Sequence, residues 1–530
     1  MKILLITGKL AEPLIRQILN ETQTQHTIDV LVLPLAVAAF LHPKYVASQI
    51  HLRGPLGKYN LILLPGMVSG DANIVTKRVG IPTFKGTRYA VDLPLLLDQL
   101  FDIESRLSTT QPADTVLAEA LEKKALQDLA KGEKGPKRPL PDGYMEIGKG
   151  SSTVLVGPRM PMRIIAEITD APLRPEEELL QMAQYFEASG VHFIDVGMVA
   201  GAPDAQAAKN IVKLLGQHTK VPISIDSMDN KEITAGVQGG AQLVLSLDQD
   251  SMIDIPKQYR KRATYTVIPS RQWGAEIPKG IEERVELLVE NLSNARSLGF
   301  SKLIADPLCD PLIAPGLTKA IQAYSVFHQQ QPKVPMLMGV GNITELLDAD
   351  SPGANAVLAG MAQELGVALL LTTEVSPKTK GSVSELHRAA QMMYLARRRR
   401  TPPKDLGLDL LFYKTKRFSE LPYTTLPNAN YPIETIRGEP AIHRLDAMGY
   451  FTFHIDRQER LLVARHYASG STGQPTIELK GTTAQQLIDA ILTRDLVSQL
   501  DHASYIGREL MKAELALMTG RPYIQEAPLF

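Results

Sequence analysis

Short runs of apolar, β-branched residues recur through the middle of the chain, separated by longer amphipathic stretches. The eight runs lie at 163–168, 191–196, 221–226, 241–247, 263–269, 301–306, 334–339 and 367–372. Runs of this length are typical of buried parallel strands, and most of the intervals between them hold one helical pattern. Eight strand–helix repeats over roughly 240 residues predict an α/β fold with a (β/α)8 TIM barrel at residues 150–400; an open eight-stranded sheet is the alternative.

The chain before the barrel shows the same alternation on a smaller scale. Apolar runs at Ile3–Ile6, Asp29–Leu33 and Leu61–Leu64 predict strands, and Ala11–Asn20 predicts a helix. These elements predict a doubly wound α/β domain over residues 1–140. A polar segment rich in Gly and Pro separates it from the barrel and is interpreted as a linker.

The chain after the barrel predicts a third, smaller domain. Alternating patterns at Tyr450–Asp456, Leu461–Tyr467 and Thr476–Leu479 predict strands, and the pattern becomes helical from Thr483 onward. We therefore expect a small α+β domain over residues 430–530, joined to the barrel by an irregular, proline-containing connector.

The composition argues against several classes of protein. The 530 residues carry 57 Lys and Arg against 57 Asp and Glu, so no net charge draws the chain to nucleic acid or to an anionic membrane. The single cysteine, Cys309, excludes an internal disulfide and a cysteine-rich zinc site. No apolar run approaches the roughly 20 residues of a membrane span. We expect a cytoplasmic protein, in which Arg397–Arg400 are cations at a helix C-terminus rather than a nucleic-acid patch.

Three of the predicted strands end in aspartate, at Asp195, Asp226 and Asp306. The carboxyl ends of the strands form the ligand-binding mouth of a TIM barrel, so these side chains are candidate site residues. The alternative is that each aspartate only caps the helix or turn that follows it. A ring of carboxylates suits a divalent metal, or an uncharged heterocycle rich in N–H donors such as a pterin. No His, Asp or Glu cluster has clear metal-ligand spacing, so no metal site is predicted.

Three short motifs in the barrel resemble those of a known family: Gly190–Gly197 (GVHFIDVG), Val221–Ser227 (VPISIDS) and Ala305–Pro307 (ADP). They look like the barrel motifs of dihydropteroate synthases, whose superfamily of pterin-binding barrels also includes pterin-dependent methyltransferases. The resemblance covers about residues 155–395. It is closest to the dihydropteroate synthase-like proteins of archaea and other prokaryotes, which carry extra domains on both sides of the barrel.

The resemblance assigns pterin binding to particular strand ends. Asp226 and Asp306 match the family aspartates that hold the pterin ring, and Asp195 matches the acid of the second strand. Asp248 or Ser246 stands where the family usually has an asparagine, after the fourth strand.

Other strand ends depart from the synthase pattern. Glu167–Asp170 (EITD) replaces a first-strand motif that contains asparagine, and Thr372–Glu374 replaces an anion-contacting Arg-Val-His after strand eight. After strand seven, Gly339–Asn342 (GVGN) replaces a Ser-Arg-Lys motif whose lysine contacts the pterin. Asn342 resembles instead the asparagine with which the methyltransferases contact the pterin.

A substitute for the lost anion contacts lies after strand eight. Lys378, Lys380 and Ser382 precede a helix predicted at Val383–Leu395, whose first backbone N–H groups would face an anion. An exposed, capped loop is the alternative interpretation.

The resemblance implies three candidate functions. The first is a transferase that condenses a pterin-CH2 diphosphate with an arylamine, in a folate or methanopterin type of pathway, with Mg²⁺ as an accompanying ion. The second is a methyltransferase that moves a methyl group from a reduced pterin to a corrinoid or thiol acceptor, which would make a corrinoid protein a partner. The third is a pterin-binding module without catalysis. All three predict a pterin or folate ligand and a homodimer; the catalytic residues are not assigned.

Overall fold

The computed structural model describes residues 1–51, 57–414, 445–471 and 473–529. The chain forms two compact units, Met1–Tyr413 and Lys414–Phe530. The first unit contains the N-terminal sheet and the barrel, and the second contains a small antiparallel sheet. The start predicted for the C-terminal domain, and most of the predicted connector, lie outside the described residues. Within the described ranges, no helix is both long enough and apolar enough to cross a membrane.

Strands and helices alternate regularly in the N-terminal part. The elements are β1 (Lys2–Gly8), α1 (Glu12–Glu21), β2 (Thr27–Leu33), α2 (Pro43–His51), β3 (Leu61–Leu64), α3 (Asn73–Val79), β4 (Thr83–Lys85), α4 (Leu93–Ile103) and α5 (Ala118–Glu133). The strands are parallel in the order β2-β1-β3-β4. Ile3 and Leu5 pack with α1 and α4, whereas Leu4 and Ile6 pack with α2 and α3. Because helices cover both faces, the predicted doubly wound fold is confirmed; β4 was not predicted.

A short hairpin precedes the barrel. It consists of β5 (Met145–Ile147) and β6 (Val154–Val156), which pair antiparallel. Ile147 and Val156 are buried in one cluster with residues from the amino-terminal halves of the barrel strands, among them Ile165. The hairpin therefore packs into the amino-terminal end of the barrel.

The barrel contains eight parallel strands with helices between them. Its elements are β7 (Arg163–Ile168), α6 (Glu176–Ala188), β8 (Phe193–Gly197), α7 (Ala205–His218), β9 (Ile223–Asp226), α8 (Asn230–Gly239), β10 (Leu243–Leu247), α9 (Ser251–Asp254), β11 (Thr264–Val267), α10 (Ile281–Ser297), β12 (Leu303–Ala305), α11 (Leu317–Gln330), β13 (Leu337–Gly339), α12 (Gly341–Glu345), α13 (Ser351–Glu364), β14 (Leu369–Thr373) and α14 (Ser382–Arg399). The sheet order is β12-β11-β10-β9-β8-β7-β14-β13, and a parallel bridge between Ala305 and Met336 joins its two edges. Each predicted run contains one strand, so the predicted barrel is confirmed.

The predicted boundary near residues 140–150 does not separate compact units, because α5 packs against α14. A Cβ atom on Gly132 of α5 would clash with the ring of Tyr394 on α14. Arg399, at the end of α14, is buried and lies 3.7 Å from Asp128 of α5. The basic C-terminal end of α14 therefore forms contacts within the first unit.

The second unit is an α+β fold, as predicted. Its described elements are β15 (Tyr450–Asp456), β16 (Leu461–Tyr467), β17 (Ile477–Gly481), α15 (Ala484–Thr493) and α16 (Leu500–Thr519). The strands pair antiparallel in sequence order. Phe451, Phe453 and Leu462 form its core with α15 and α16. Thr483 and Gln486 form a capping box at the start of α15.

Candidate functional site

Glu167, Asp195 and Asp226 lie side by side at the mouth of the barrel. Glu167 of β7 is opposite Asp195 of β8 in the parallel pairing, and Gly197 of β8 is opposite Asp226 of β9. Because residues two apart on a strand point to the same side, these four positions all face the barrel interior. The structure therefore brings together two of the predicted aspartates with a glutamate that the sequence placed at a strand end without a role.

The three carboxyl groups lie close together; Asp195 is fully buried, and Glu167 and Asp226 are half-buried. Asp195 accepts a hydrogen bond from Ser224 Oγ at 2.5 Å, and its Oδ2 atom has no partner among the described residues. Burial, and then the charges of Asp226 and Glu167, raise the pKa of Asp195 well above its usual range. Burial raises the pKa of Glu167 to about 8, with a further contribution from Asp226, so Glu167 carries a proton at neutral pH. Burial also raises the pKa of Asp226, although a hydrogen bond with Ser246 opposes this.

Asp306 lies after β12 with one carboxylate oxygen already engaged. Its Oδ1 atom accepts hydrogen bonds from Tyr324 Oη at 2.6 Å and from the backbone N–H of Leu308 at 2.8 Å. Burial raises the pKa of Asp306 to about 6; the two hydrogen bonds lower it, and the charge of Asp226 raises it. Asp306 is therefore held in a fixed orientation and is electrostatically linked to Asp226.

The two candidates of strand four have different roles. Ser246 has a positive φ of 69° and forms the hydrogen bond with Asp226. Asp248 is fully buried and accepts hydrogen bonds from the backbone N–H groups of Ser251 at 2.8 Å and Gly274 at 3.0 Å. Both carboxylate oxygens of Asp248 thus accept hydrogen bonds from the protein itself, and a contact between Asp248 and pterin stays a prediction.

The lysines of the anion site predicted after strand eight have acidic partners within the protein, and anion binding there stays a prediction. Glu374 accepts a hydrogen bond from the backbone N–H of Val383 at 2.9 Å, and Lys380 lies 3.5 Å from the same carboxylate. Lys378 pairs with Asp348 at 3.0 Å. Ser382 is fully buried. A carboxylate of the protein therefore occupies the start of α14, and both lysines already have acidic partners.

Asn342 is the second residue of the short helix α12 and is exposed. Gly341 packs against the backbone of Thr372 and Thr373, where a Cβ atom would approach to 3.2 Å. The helix thus lies close against β14. A contact between Asn342 and a ligand stays a prediction.

A cavity of about 1280 Å³ opens from the acid cluster toward the starts of α7 and α8. Glu167 and Asp226 line its inner end. Lys209, Lys231 and Trp273 line other parts of its wall. Asp306 and Asn342 do not line this cavity, so the structure gathers only part of the predicted site around it.

Sequence reasoning gave no role to Trp273 or to Gly197. Trp273 is the single tryptophan of the chain and has a positive φ of 52°, which is unusual for a bulky residue. Gly197 lies where a Cβ atom would clash with Glu167 Oε1. The available signal was a glycine two residues beyond Asp195, the residue opposite Glu167, but it requires the register of β7 and β8.

The described part of the chain offers no set of side chains that would bind a metal ion without a substrate. No group of three His, Cys, Asp or Glu residues there is placed so that it could hold a metal ion. The predicted Mg²⁺ therefore stays a proposal for an ion that a substrate would bring.

Three sequence families match parts of the chain. A family described as "Pterin binding enzyme" matches residues 172–370, within the barrel. "Family of unknown function (DUF6513)" matches residues 1–88, and "PterinBD-DUF4346" matches residues 445–526.

One relative matches the chain along its full length. "Uncharacterized protein MJ0107" of Methanocaldococcus jannaschii is 36% identical over 539 residues, which cover 100% of this chain and 99% of that protein. The chain belongs to the same family. Within that family, the barrel of this chain matches the pterin binding enzyme family over residues 172–370. The "Ycf91-like protein" of Nostoc is 32% identical over 106 residues, which cover 16% of this chain and 84% of that protein.

The similar solved structures include dihydropteroate synthases. Yersinia pestis dihydropteroate synthase with a pterine-sulfa conjugate has a TM-score of 0.38 and 16% identity, and covers 48% of this chain and 100% of its own. The Xanthomonas albilineans enzyme in complex with 7,8-dihydropteroate has a TM-score of 0.37 and 16% identity, and covers 46% and 95%.

Proposed function

We propose that this protein is a pterin-dependent transferase, which binds a reduced pterin at Asp226 and Asp306 and passes a carbon unit from the pterin to a separate acceptor. The observation that carries the proposal is a pair of aspartates at two strand ends of a barrel that matches the pterin binding enzyme family: the half-buried Asp226 and the buried Asp306, which hydrogen bonds hold in place. A carboxylate can accept both N–H groups of the 2-amino/N3 edge of a pterin, at roughly 1.5–3 kcal/mol per charge-assisted hydrogen bond.

The charges around the site favour transfer of a neutral carbon unit over expulsion of a diphosphate. A diphosphate leaving group requires cations or free helix N-termini at the reacting carbon. Here the inner wall carries Asp226, and Glu374 occupies the start of α14. Methyl transfer from a reduced methyl-pterin to a thiolate or a corrinoid expels no diphosphate, so no multiply charged leaving group has to form beside these carboxylates.

The synthase remains a second candidate because of two lysines. Lys209 and Lys231 line the cavity and are exposed, and neither has an ion-pair partner among the described residues. They could contact a diphosphate, with Mg²⁺ bound to it, that extends outward from the acid cluster. The arylamine would then enter by the same cavity.

Pterin binding is tested first. We expect reduced pterins to raise the melting temperature of the purified full-length protein. Asp226→Asn and Asp306→Asn should each weaken binding about 10- to 100-fold, since each removes a charge-assisted acceptor. Asp170→Asn, which removes an exposed neighbouring carboxylate, is the matched control and should bind as the parent does. The proposal fails if no pterin shifts the melting temperature of the parent protein.

Turnover separates the candidates. Loss of the methyl group from a methyl-tetrahydropterin, with a thiol or cob(I)alamin as acceptor, supports methyl transfer. Release of diphosphate from a pterin-CH2 diphosphate and an arylamine, dependent on Lys209 and Lys231, supports the synthase. Tight binding with neither reaction would identify a binding module.

A further inference from the structure

The Glu167 carboxyl group is the least constrained member of the acid cluster. It lines the cavity, and its oxygens have no hydrogen-bond partner among the described residues. Asp195, by contrast, is fully buried and bonded to Ser224. Glu167 is therefore the cluster member that is both open to the cavity and free to contact a ligand.

The space that Glu167 occupies is built into the neighbouring strand. A Cβ atom on Gly197 would clash with Glu167 Oε1 and would lie 3.2 Å from the carbonyl oxygen of Ile168. Gly197 itself has no positive φ, so its backbone does not demand glycine. The absence of a side chain at position 197 is explained by room for the carboxyl group of Glu167.

We infer that Glu167 is a catalytic proton donor, which delivers a proton to the pterin ring nitrogen as that nitrogen releases its carbon unit. The inference rests on the proposed transferase function and adds to it the residue that completes the reaction.

Three acidic residues lie near Glu167, one on its own loop and two on nearby strands. Asp170 comes from its own loop, Asp195 from β8 and Asp226 from β9, while its partner on β14 is the uncharged Thr373. None of these elements brings a cation that pairs with it among the described residues. Burial and the like charges of Asp226 and Asp170 raise its pKa to about 8, so that it carries a proton at neutral pH.

The step balances without a further reagent. A thiolate acceptor forms a bond to the methyl carbon, and the bond between that carbon and the ring nitrogen breaks. The nitrogen keeps the electron pair of the broken bond and takes the proton from Glu167, so it leaves as a neutral N–H group. The Glu167 carboxylate then regains a proton from water in the cavity. In an arylamine condensation the proton would move in the opposite direction, from the amine to the carboxylate.

The pH profile of methyl transfer tests the inference. We expect the rate of the parent protein to fall about tenfold per pH unit above pH 8, because the donor loses its proton. Glu167→Gln should lower kcat by about 10²- to 10⁴-fold and remove this fall. Its pterin-induced melting shift should stay close to that of the parent, which excludes misfolding. Asp170→Asn, the matched control, should keep kcat and move the profile slightly to lower pH.

Each other result has a defined meaning. A Glu167→Gln protein with the parent profile, or a parent rate that rises with pH, overturns the proton-donor role but leaves pterin binding in place. Infrared difference spectra of the folded parent add a readout that needs no acceptor. A protonated-carboxyl band that titrates near pH 8 and disappears in Glu167→Gln is expected, and its persistence in Glu167→Gln overturns the assignment. Absence of any pterin-induced shift in the parent overturns the proposed function and, with it, this inference.

Discussion

The backbone N–H of Val383 donates a hydrogen bond to Glu374 Oε1 at 2.9 Å, so the first turn of α14 is neutralised by a carboxylate from the preceding loop. The second oxygen of Glu374 accepts a hydrogen bond from Tyr185 Oη at 3.0 Å and lies near Lys380. The Glu374 side chain is only 1% exposed. The Glu374 carboxylate therefore occupies a position where a substrate anion could have bound, and its contacts there stabilise the fold.

Glu374→Ala should open that position. The variant loses a buried carboxylate with three partners, and we expect a loss of stability of about 1–3 kcal/mol in phosphate-free buffer. Added phosphate should restore part of the loss, because the start of α14 and Lys380 are then free. Thermal unfolding across a phosphate titration measures both effects. Glu364→Ala, at an exposed position of α13, is the control, and an equal phosphate effect in the parent would contradict the prediction.

Glu167→Gln should change how stability depends on pH. The pKa of Glu167 rises from 4.5 in the unfolded chain to about 8 in the folded protein. The folded protein thus binds a proton that the unfolded chain releases, and stability falls as the pH rises from about 4.5 to about 8. We expect Glu167→Gln to melt close to the parent at pH 4.5 and above it at pH 9. Melting temperatures over this range decide the point, with the exposed Glu290→Gln as a control that keeps the parent curve.

Asp248→Ala should loosen the loop that carries Trp273. Asp248 accepts the Gly274 N–H and belongs to the anchor of that loop, so its removal should cost about 1–3 kcal/mol. As the single tryptophan, Trp273 reports the change directly, and its fluorescence anisotropy should fall. Pterin affinity should stay within about threefold, since both Asp248 oxygens are already bonded to the protein itself. A large loss of pterin affinity at unchanged anisotropy would show that Asp248 contacts the pterin, and Asp254→Ala controls for the loss of a nearby carboxylate.

Gly197→Ala should be destabilising, and truncation of its neighbour should rescue it. The added methyl group meets Glu167 Oε1 and lies 3.2 Å from the backbone oxygen of Ile168; because the Glu167 carboxyl group can move aside, we expect a cost of about 1 kcal/mol. Glu167→Ala in the same chain removes the clash, so the double-mutant cycle should show a coupling of about 0.5–3 kcal/mol. Gly216→Ala on α7, where the new Cβ atom is 4.0 Å from Ile223, should be neutral or stabilising. Additive effects at 167 and 197 would show that the two positions are independent.

The barrel could be predicted from the sequence because each buried parallel strand is a short apolar run and the runs recur with helices between them. The ends of these strands follow from the same runs, so Asp195, Asp226 and Asp306 could be placed at the mouth. The direction in which a side chain points after a strand could not be predicted. Ser246 lies in β10 and Asp248 directly follows it, but the pairing of β10 with β11 is irregular between Val244 and Leu247.

Contacts between residues far apart in the chain also could not be predicted from the sequence. The lysines near α14 look free in sequence because their partners, Glu374 and Asp348, come from other loops. The boundary near residues 140–150 looked like a linker because its residues are polar, yet α5 packs on a helix more than two hundred residues later. Glu167 gained a role only when strand pairing placed it beside Asp195 and Gly197.

The β5–β6 hairpin sets the order of events in the proposed cycle. Ile147 and Val156 pack in an apolar cluster at the amino-terminal end of the barrel, and the cavity that Glu167 and Asp226 line opens at the other end, at the mouth. A bound pterin would cover that opening. The Glu167 carboxylate would then be reprotonated only after the product leaves. Each turnover would use the one proton that Glu167 carried when the pterin bound.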